Sequence, residues 1–137
     1  MATIDATGGA GVQPRGLRVG LVAVTRIYSL SASLSVGDVI QMIKVPAGAT
    51  PVYVALSSGS GQGVVDVGDG VSTNRYINAY LNSANALLVT INRSFVPYTY
   101  STDDTIDITV SAVSTGAATG GFNLTVIFSM DTLGRTP

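Results

Sequence analysis

The residues best suited to chemistry in this chain crowd into VDVGDGVSTNRYI, positions 65–77. Asp66 and Asp69 are interleaved with Gly68 and Gly70, and Arg75 and Tyr76 follow. Three chemistries use such a string: a carboxylate loop around a hard cation, a glycine cradle around a phosphate, and a tight turn held by its own aspartate. An EF-hand-type calcium loop needs oxygen ligands at every second position and a closing glutamate. The run Asp66-Val-Gly-Asp69-Gly70 has neither. A phosphate-binding P-loop needs lysine, then serine or threonine, after its glycines, whereas Val71 and Ser72 stand here. The turn fits best: aspartate hydrogen-bonds its own backbone just downstream, and glycine adopts positive φ at little steric cost. Asp69 and Gly70 are therefore expected to form a structural turn, with Arg75 pairing with an aspartate to pin it. The competing reading is a loop calcium held by Asp69 and a distant aspartate. Asp103 and Asp104 stand just before a strong strand, where a charged pair most often marks a turn.

The remaining inventory argues against catalysis. The chain has no histidine, cysteine or glutamate, so general acid–base work would fall to aspartate, lysine or tyrosine. The sole lysine, Lys44, sits in an alternating strand before a turn and reads as solvated. Serines are plentiful but lack the usual histidine base. No enzymatic activity, metal or cofactor is expected. Without cysteine, disulfides and thiolate sites are excluded. The formal net charge is −1 and the basic residues are scattered singly, so no basic stripe exists to neutralise nucleic-acid phosphates. The longest apolar run, Val19–Val24, is far too short for a membrane span. The opening MATIDATGG has neither the basic nor the apolar region of a secretory signal. Neither nucleic acid nor membrane is expected as a partner, and the glycosylation sequons at Asn92 and Asn123 read as chance matches.

These side chains must be positioned by elements of a single domain, since 137 residues suffice for one core. Hydrophobic residues make up 46%, but charged residues only 11%, against about 25% in ordinary soluble domains. So little charge suits either a surface rich in serine, threonine and asparagine or a subunit covered by its neighbours. Residues 1–17, MATIDATGGAGVQPRGL, are small, glycine-rich and aperiodic, and are expected to form a flexible N-terminal arm. Residues 18–137 then make a single β-sandwich domain.

Within it, 18–28 is β-rich and apolar on both alternating faces, with Val19, Leu21, Ala23 and Ile27 on one and Val22, Val24 and Tyr28 on the other. Segments 38–45, 50–57 and 64–68 read as strands, the second with Val52, Val54 and Leu56 towards the core. FVPYTY (95–100) reads as an edge strand bearing Pro97. In 105–113 the alternation places Ile106, Ile108, Val110 and Ala112 inward, and Thr105, Asp107, Thr109 and Ser111 outward. Segment 121–130 repeats the pattern from Phe122 to Met130. NRYINAYLNSANALL (74–88) carries a helical stripe, yet its asparagines are indifferent helix formers. Strands at 75–81 and 86–91 are preferred because every other segment is β. Seven or eight short antiparallel strands with Gly/Ser/Pro turns describe an all-β sandwich.

Four motifs in order, SVGDVIQMIKVPAGATPVYVAL, VDVGDGVSTNRYI, YTYSTDDTIDITVSA and FNLTVIFSM, resemble a widespread group of tailed-bacteriophage structural proteins. The resemblance runs from about Ser35 to Met130. Members are small β proteins encoded among head genes, and several resemble capsid decoration (cement) proteins with jelly-roll folds. What the resemblance implies is a jelly roll, a homotrimer, and a place on the outside of an icosahedral head after synthesis in the host cytoplasm. There the protein would bridge adjacent major capsid subunits and stabilise the shell. The group offers no catalytic residues to carry over.

Subunit or capsid contacts are expected at Arg15, Arg18, Val19, Leu21, Val22 and Val24, because a strand apolar on both faces suits cover by a neighbour. A central core strand would explain the same pattern. The alternative function is a head-fibre, tail or receptor-binding β-sandwich module contacting host surface glycans. Its carriers would be tyrosines, with Tyr98 and Tyr100 two apart on one strand face.

Overall fold

The structure, a computed structural model, describes residues 2–6, 19–29, 34–58, 63–82, 87–90, 98–112 and 121–131. Nine strands lie within them: β1 (Thr3–Asp5), β2 (Val19–Ser29), β3 (Val39–Val45), β4 (Ala49–Ser58), β5 (Gly63–Gly68), β6 (Ile77–Asn82), β7 (Leu87–Thr90), β8 (Asp104–Ala112) and β9 (Gly121–Asp131). Strand β2 pairs with β9, β3 with β8, β4 with β7 and β5 with β6, all antiparallel. This nesting is that of one long hairpin, and rolling it up brings β4 against β9 and β5 against β8. Two facing sheets result, ordered β2-β9-β4-β7 and β1-β3-β8-β5-β6. Eight of these strands form a jelly roll, the expected fold class, and β1 adds a fifth strand to one sheet.

The core fills the space between the sheets, and period-two alternation selects its members. From β8 come Ile106, Ile108 and Val110; from β9 come Phe122, Leu124, Val126, Phe128 and Met130. Both strands are central in their sheets, so their inward side chains have neighbours on every side. The connection from β3 to β4 is a type II turn: Ala49 N–H donates to the Pro46 carbonyl at 3.2 Å, with Gly48 at φ 89°.

Bulges account for two departures from simple alternation. Val52 was expected in the core but is 46% exposed, because the register of β4 against β9 shifts between Pro51 and Tyr53. Val54 and Leu56, beyond the shift, are fully buried. Ala112 was expected inward and is exposed. It lies past the irregularity between Val64 and Val65, where β8 leaves the core.

Among the described residues of segment 74–88, Ile77–Asn82 forms β6 and Leu87 opens β7, strands as preferred and not a helix. The expected strand over 95–100 is not found at Tyr98–Tyr100, the part of it among the described residues. Those residues instead join the β3–β4 turn. Tyr100 N–H donates to the Ala49 carbonyl (3.0 Å), and Gly48 N–H donates to the Tyr100 carbonyl (2.7 Å). The stretch read as a flexible arm also begins as sheet. Strand β1 runs parallel to β3, and the Asp38 carboxylate accepts from the N–H groups of Ala2 (2.9 Å) and Ser35 (2.8 Å). Residues 7–18 lie outside the described residues.

Candidate functional site

The string that opens the chemical inventory folds as the β5–β6 connection, and Asp69 is its centre. Its side chain is 1% exposed. Oδ1 accepts from the N–H groups of Val71 (3.0 Å) and Ser72 (2.8 Å), closing the loop on itself. Arg75 reaches back with Nε to Oδ2 (2.5 Å) and Nη2 to Oδ1 (3.3 Å), and the Tyr100 hydroxyl donates to Oδ2 at 3.0 Å. Behind it the Tyr76 and Tyr100 hydroxyls are 2.8 Å apart. The Arg75 guanidinium lies 3.8 Å from the centre of the Tyr98 ring, which meets Tyr100 edge-on at 5.0 Å.

Burial by itself would raise the Asp69 pKa. The bonds from Arg75, Ser72, Tyr100 and Val71 outweigh it and hold the carboxyl below its ordinary value. Tyr76 is pushed up to about 12, by burial first, and burial drives Tyr100 upward as well. Both tyrosines are thus neutral hydrogen-bonding groups. Asp69 accepts bonds on both oxygens from five donors, which leaves it nothing to offer a substrate or a cation. Its chemistry is structural: it ties the β5–β6 loop to the segment before β8.

Gly70 does not play the part expected of it. It is exposed, it does not adopt positive φ, and a Cβ there would meet only Asp104 Oδ1 at 3.9 Å. The glycine the loop requires is Gly68, where a Cβ would fall 2.0 Å from the Ser72 carbonyl oxygen. The loop folds back over the outer face of its own sheet at that point. The tyrosines around Asp69 were missed for a related reason: Tyr100 is 31 positions away and Tyr76 pairs with it across 24. The other carboxylates of the calcium reading also serve backbone, Asp66 Oδ1 accepting from Ala79 N–H (2.6 Å) and Asp103 Oδ1 from Ala47 N–H (2.9 Å). Among the described residues no group of three or more potential ligands could hold a metal ion.

The same fold-back explains Asp107, expected outward and solvated. It stands opposite Gly68 on the outer face, yet it is only 5% exposed, and its Oδ1 has no partner among the described residues. Burial, followed by the nearby Asp104 and Asp69 charges, raises its pKa to about 6 against a bond from Thr105 that lowers it. A carboxyl raised in the fold stabilises while protonated. Its contribution is full below the unfolded value of about 3.9 and is lost as pH rises through about 6. Asp107→Asn should therefore flatten the melting temperature between pH 4 and 7 and exceed wild type at pH 7 by about 1–2 kcal/mol. That figure is the ceiling of about 3 kcal/mol discounted for screening. Thermal melts across that range would read it, and an unchanged pH profile would count against it.

The residues expected at contacts fall in different environments. Arg15 and Arg18 lie outside the described residues, and Val19 starts β2 opposite Asp131. Val22 and Val24 are half-buried against the chain's own core, because β2 is an edge strand with one face on that core. Leu21, on the other face, is 70% exposed.

No protein family matches the sequence, and no curated protein matches it. Solved structures match its shape. A chain in the capsid of Ralstonia phage GP4 has a TM-score of 0.75 at 18% identity, over 95% of this chain and 99% of that one. One in the cyanophage Pam1 capsid has a TM-score of 0.69 at 17% identity, over 89% and 94%. The fold is one found in phage capsids. A third, in the acid-stable capsid of Helicobacter pylori phage KHP30, has a TM-score of 0.58 at 14% identity, over 83% and 90%. At these identities the likeness is one of fold.

Proposed function

We propose that this chain is a structural protein of a tailed-phage virion. In this reading it is a decoration protein that sits as a homotrimer on the outer face of the head and bridges major capsid subunits. The supporting observation is the near end-to-end match of both chains to a jelly roll in a phage capsid. Two physical features agree with it. The carboxylate cluster that might have been catalytic is saturated by its own loop, and the surface is poor in charge, as suits a subunit largely covered by neighbours.

The glycan-binding alternative loses the paired Tyr98 and Tyr100. Tyr100 is 2% exposed with its hydroxyl committed to Asp69 and Tyr76, and Tyr98 is stacked beneath Arg75. They do not form an open aromatic platform. The test is co-sedimentation of purified protein with expanded heads that lack it, together with the temperature at which those heads disrupt. Saturable binding and a raised disruption temperature are expected. Failure to bind, with a positive glycan array, would replace this reading by the alternative.

A further inference from the structure

Strand β2 ends its sheet, and among the described residues the one strand that pairs with its 11 positions is β9. From Gly20 to Ser29 no residue is buried, and exposed and half-buried positions alternate from Leu21 to Ser29. Alternate residues of such a strand direct both N–H and C=O away from the sheet, so donors and acceptors face outward along it, the Thr25 carbonyl also accepting from Arg26 Nη1 (3.1 Å). A long open edge of this kind is a template for another strand.

The outward side chains specify which strand. Leu21 (70% exposed) and Ile27 (68% exposed) lie three residues on either side of Val24, and Ala23 and Thr25 lie one residue on either side. We propose that β2 of one copy pairs antiparallel with β2 of a second copy about a twofold axis at Val24, joining their four-stranded sheets into one. Each Leu21 then stands opposite Ile27 of the other copy, and each Ala23 opposite Thr25. Cross-strand pairs of this type are the unit of sheet stabilisation. A foreign strand would place no premium on symmetry about Val24; self-pairing does.

Charge favours the same partner. An isologous contact sets each surface against itself, so any charge at its centre meets its like. The outward positions from Leu21 to Ser29 and from Gly121 to Ser129 carry none. The Thr25 and Thr125 hydroxyls there are engaged with each other (2.9 Å). Arg26 belongs to the inward register and donates from Nη1 to the Thr25 carbonyl (3.1 Å); in the pair it would stand opposite Val22 of the copy and not opposite another Arg26. The pairing does not rest on a role in the virion, and for the isolated protein it is an alternative to the homotrimer of that reading.

The native chain has no cysteine, which makes the register directly testable. Leu21→Cys and Ile27→Cys proteins are mixed and oxidised, each alone serving as control. A disulfide-linked dimer in the mixture, and little in either control, is the expected result. Leu21→Lys/Ile27→Lys should raise the dimer dissociation constant in light scattering by about tenfold or more, while Leu21→Lys/Ile27→Asp, which pairs opposite charges, restores association. Both positions are exposed, so the melting temperatures should stay near wild type. Equal cross-linking in the controls, no cross-link at any concentration, or association unaffected by the two lysines would overturn the pairing. A trimer in which the mixed proteins form no disulfide would overturn it too, while leaving the decoration reading intact.

Discussion

Asp69→Ala is expected to cost the domain about 3–5 kcal/mol, the range for removing one partner from a buried ion pair. At this chain length that is a fall of roughly 10 °C or more in melting temperature. The substitution removes the acceptor of two loop N–H groups, leaves the Arg75 guanidinium over Tyr98 without its counter-charge, and takes from the buried Tyr100 hydroxyl its carboxylate acceptor, leaving it the Tyr76 hydroxyl. Asp69→Asn separates these losses. The amide keeps an acceptor for Val71 and Ser72 but cannot balance Arg75, so it should lose less than alanine and still more than about 1 kcal/mol. Because the Asp69 pKa is lowered in the fold, the wild-type advantage is present above the unfolded value and lost as pH falls through the folded one. Urea melts of the three proteins at pH 7 and pH 3 give the comparison. The differences should shrink at the lower pH, and an Asp69→Ala protein as stable as wild type at pH 7 would refute the assignment.

The second large effect is a contrast between neighbouring glycines. Gly68→Ala places a methyl group 2.0 Å from the Ser72 carbonyl oxygen and 2.4 Å from the Thr73 carbonyl carbon. Neither is a flexible side-chain tip, so the whole β5–β6 loop must lift, and lifting it disturbs the Asp69–Arg75 pair. A loss of about 3 kcal/mol or more is expected, at or above the upper end for overpacking. Gly70→Ala meets only an ordinary contact with Asp104 Oδ1 and does not sit at positive φ, so it should stay within about 0.5 kcal/mol of wild type. Thermal melts of the pair decide it. If Gly70→Ala proved the more damaging, the account of this loop would be wrong.

Legibility in the sequence followed the range of the interaction. Alternation over two residues was enough to find β8 and β9 and to assign most of their inward faces, since each side chain's direction is set by its own strand. The pairing of Arg75 with an aspartate was legible because the two partners belong to one short loop. Where a bulge intervened, alternation failed, as at Val52 and Ala112, because one extra residue puts the side chains before and after it out of phase. Gly70 drew attention through its neighbour Asp69, whereas Gly68, which the fold requires, carried no local mark of it. What makes Gly68 indispensable is the return of Ser72 and Thr73 over the sheet.

By itself, then, the sequence determined the all-β class, the absence of histidine- and cysteine-based chemistry, and the strand periodicity of each segment. These are properties of composition and of nearest neighbours along the chain. The tertiary structure alone decided the rest. It rolled the nested hairpin so that β9 lies between β2 and β4, and it made β2 an edge strand with an exposed apolar face. It also brought Tyr100 and Tyr76 to Asp69 and buried Asp107 beneath a loop. Each of these depends on segments tens of residues apart meeting in one place, and period-two alternation is the same whichever strands become neighbours.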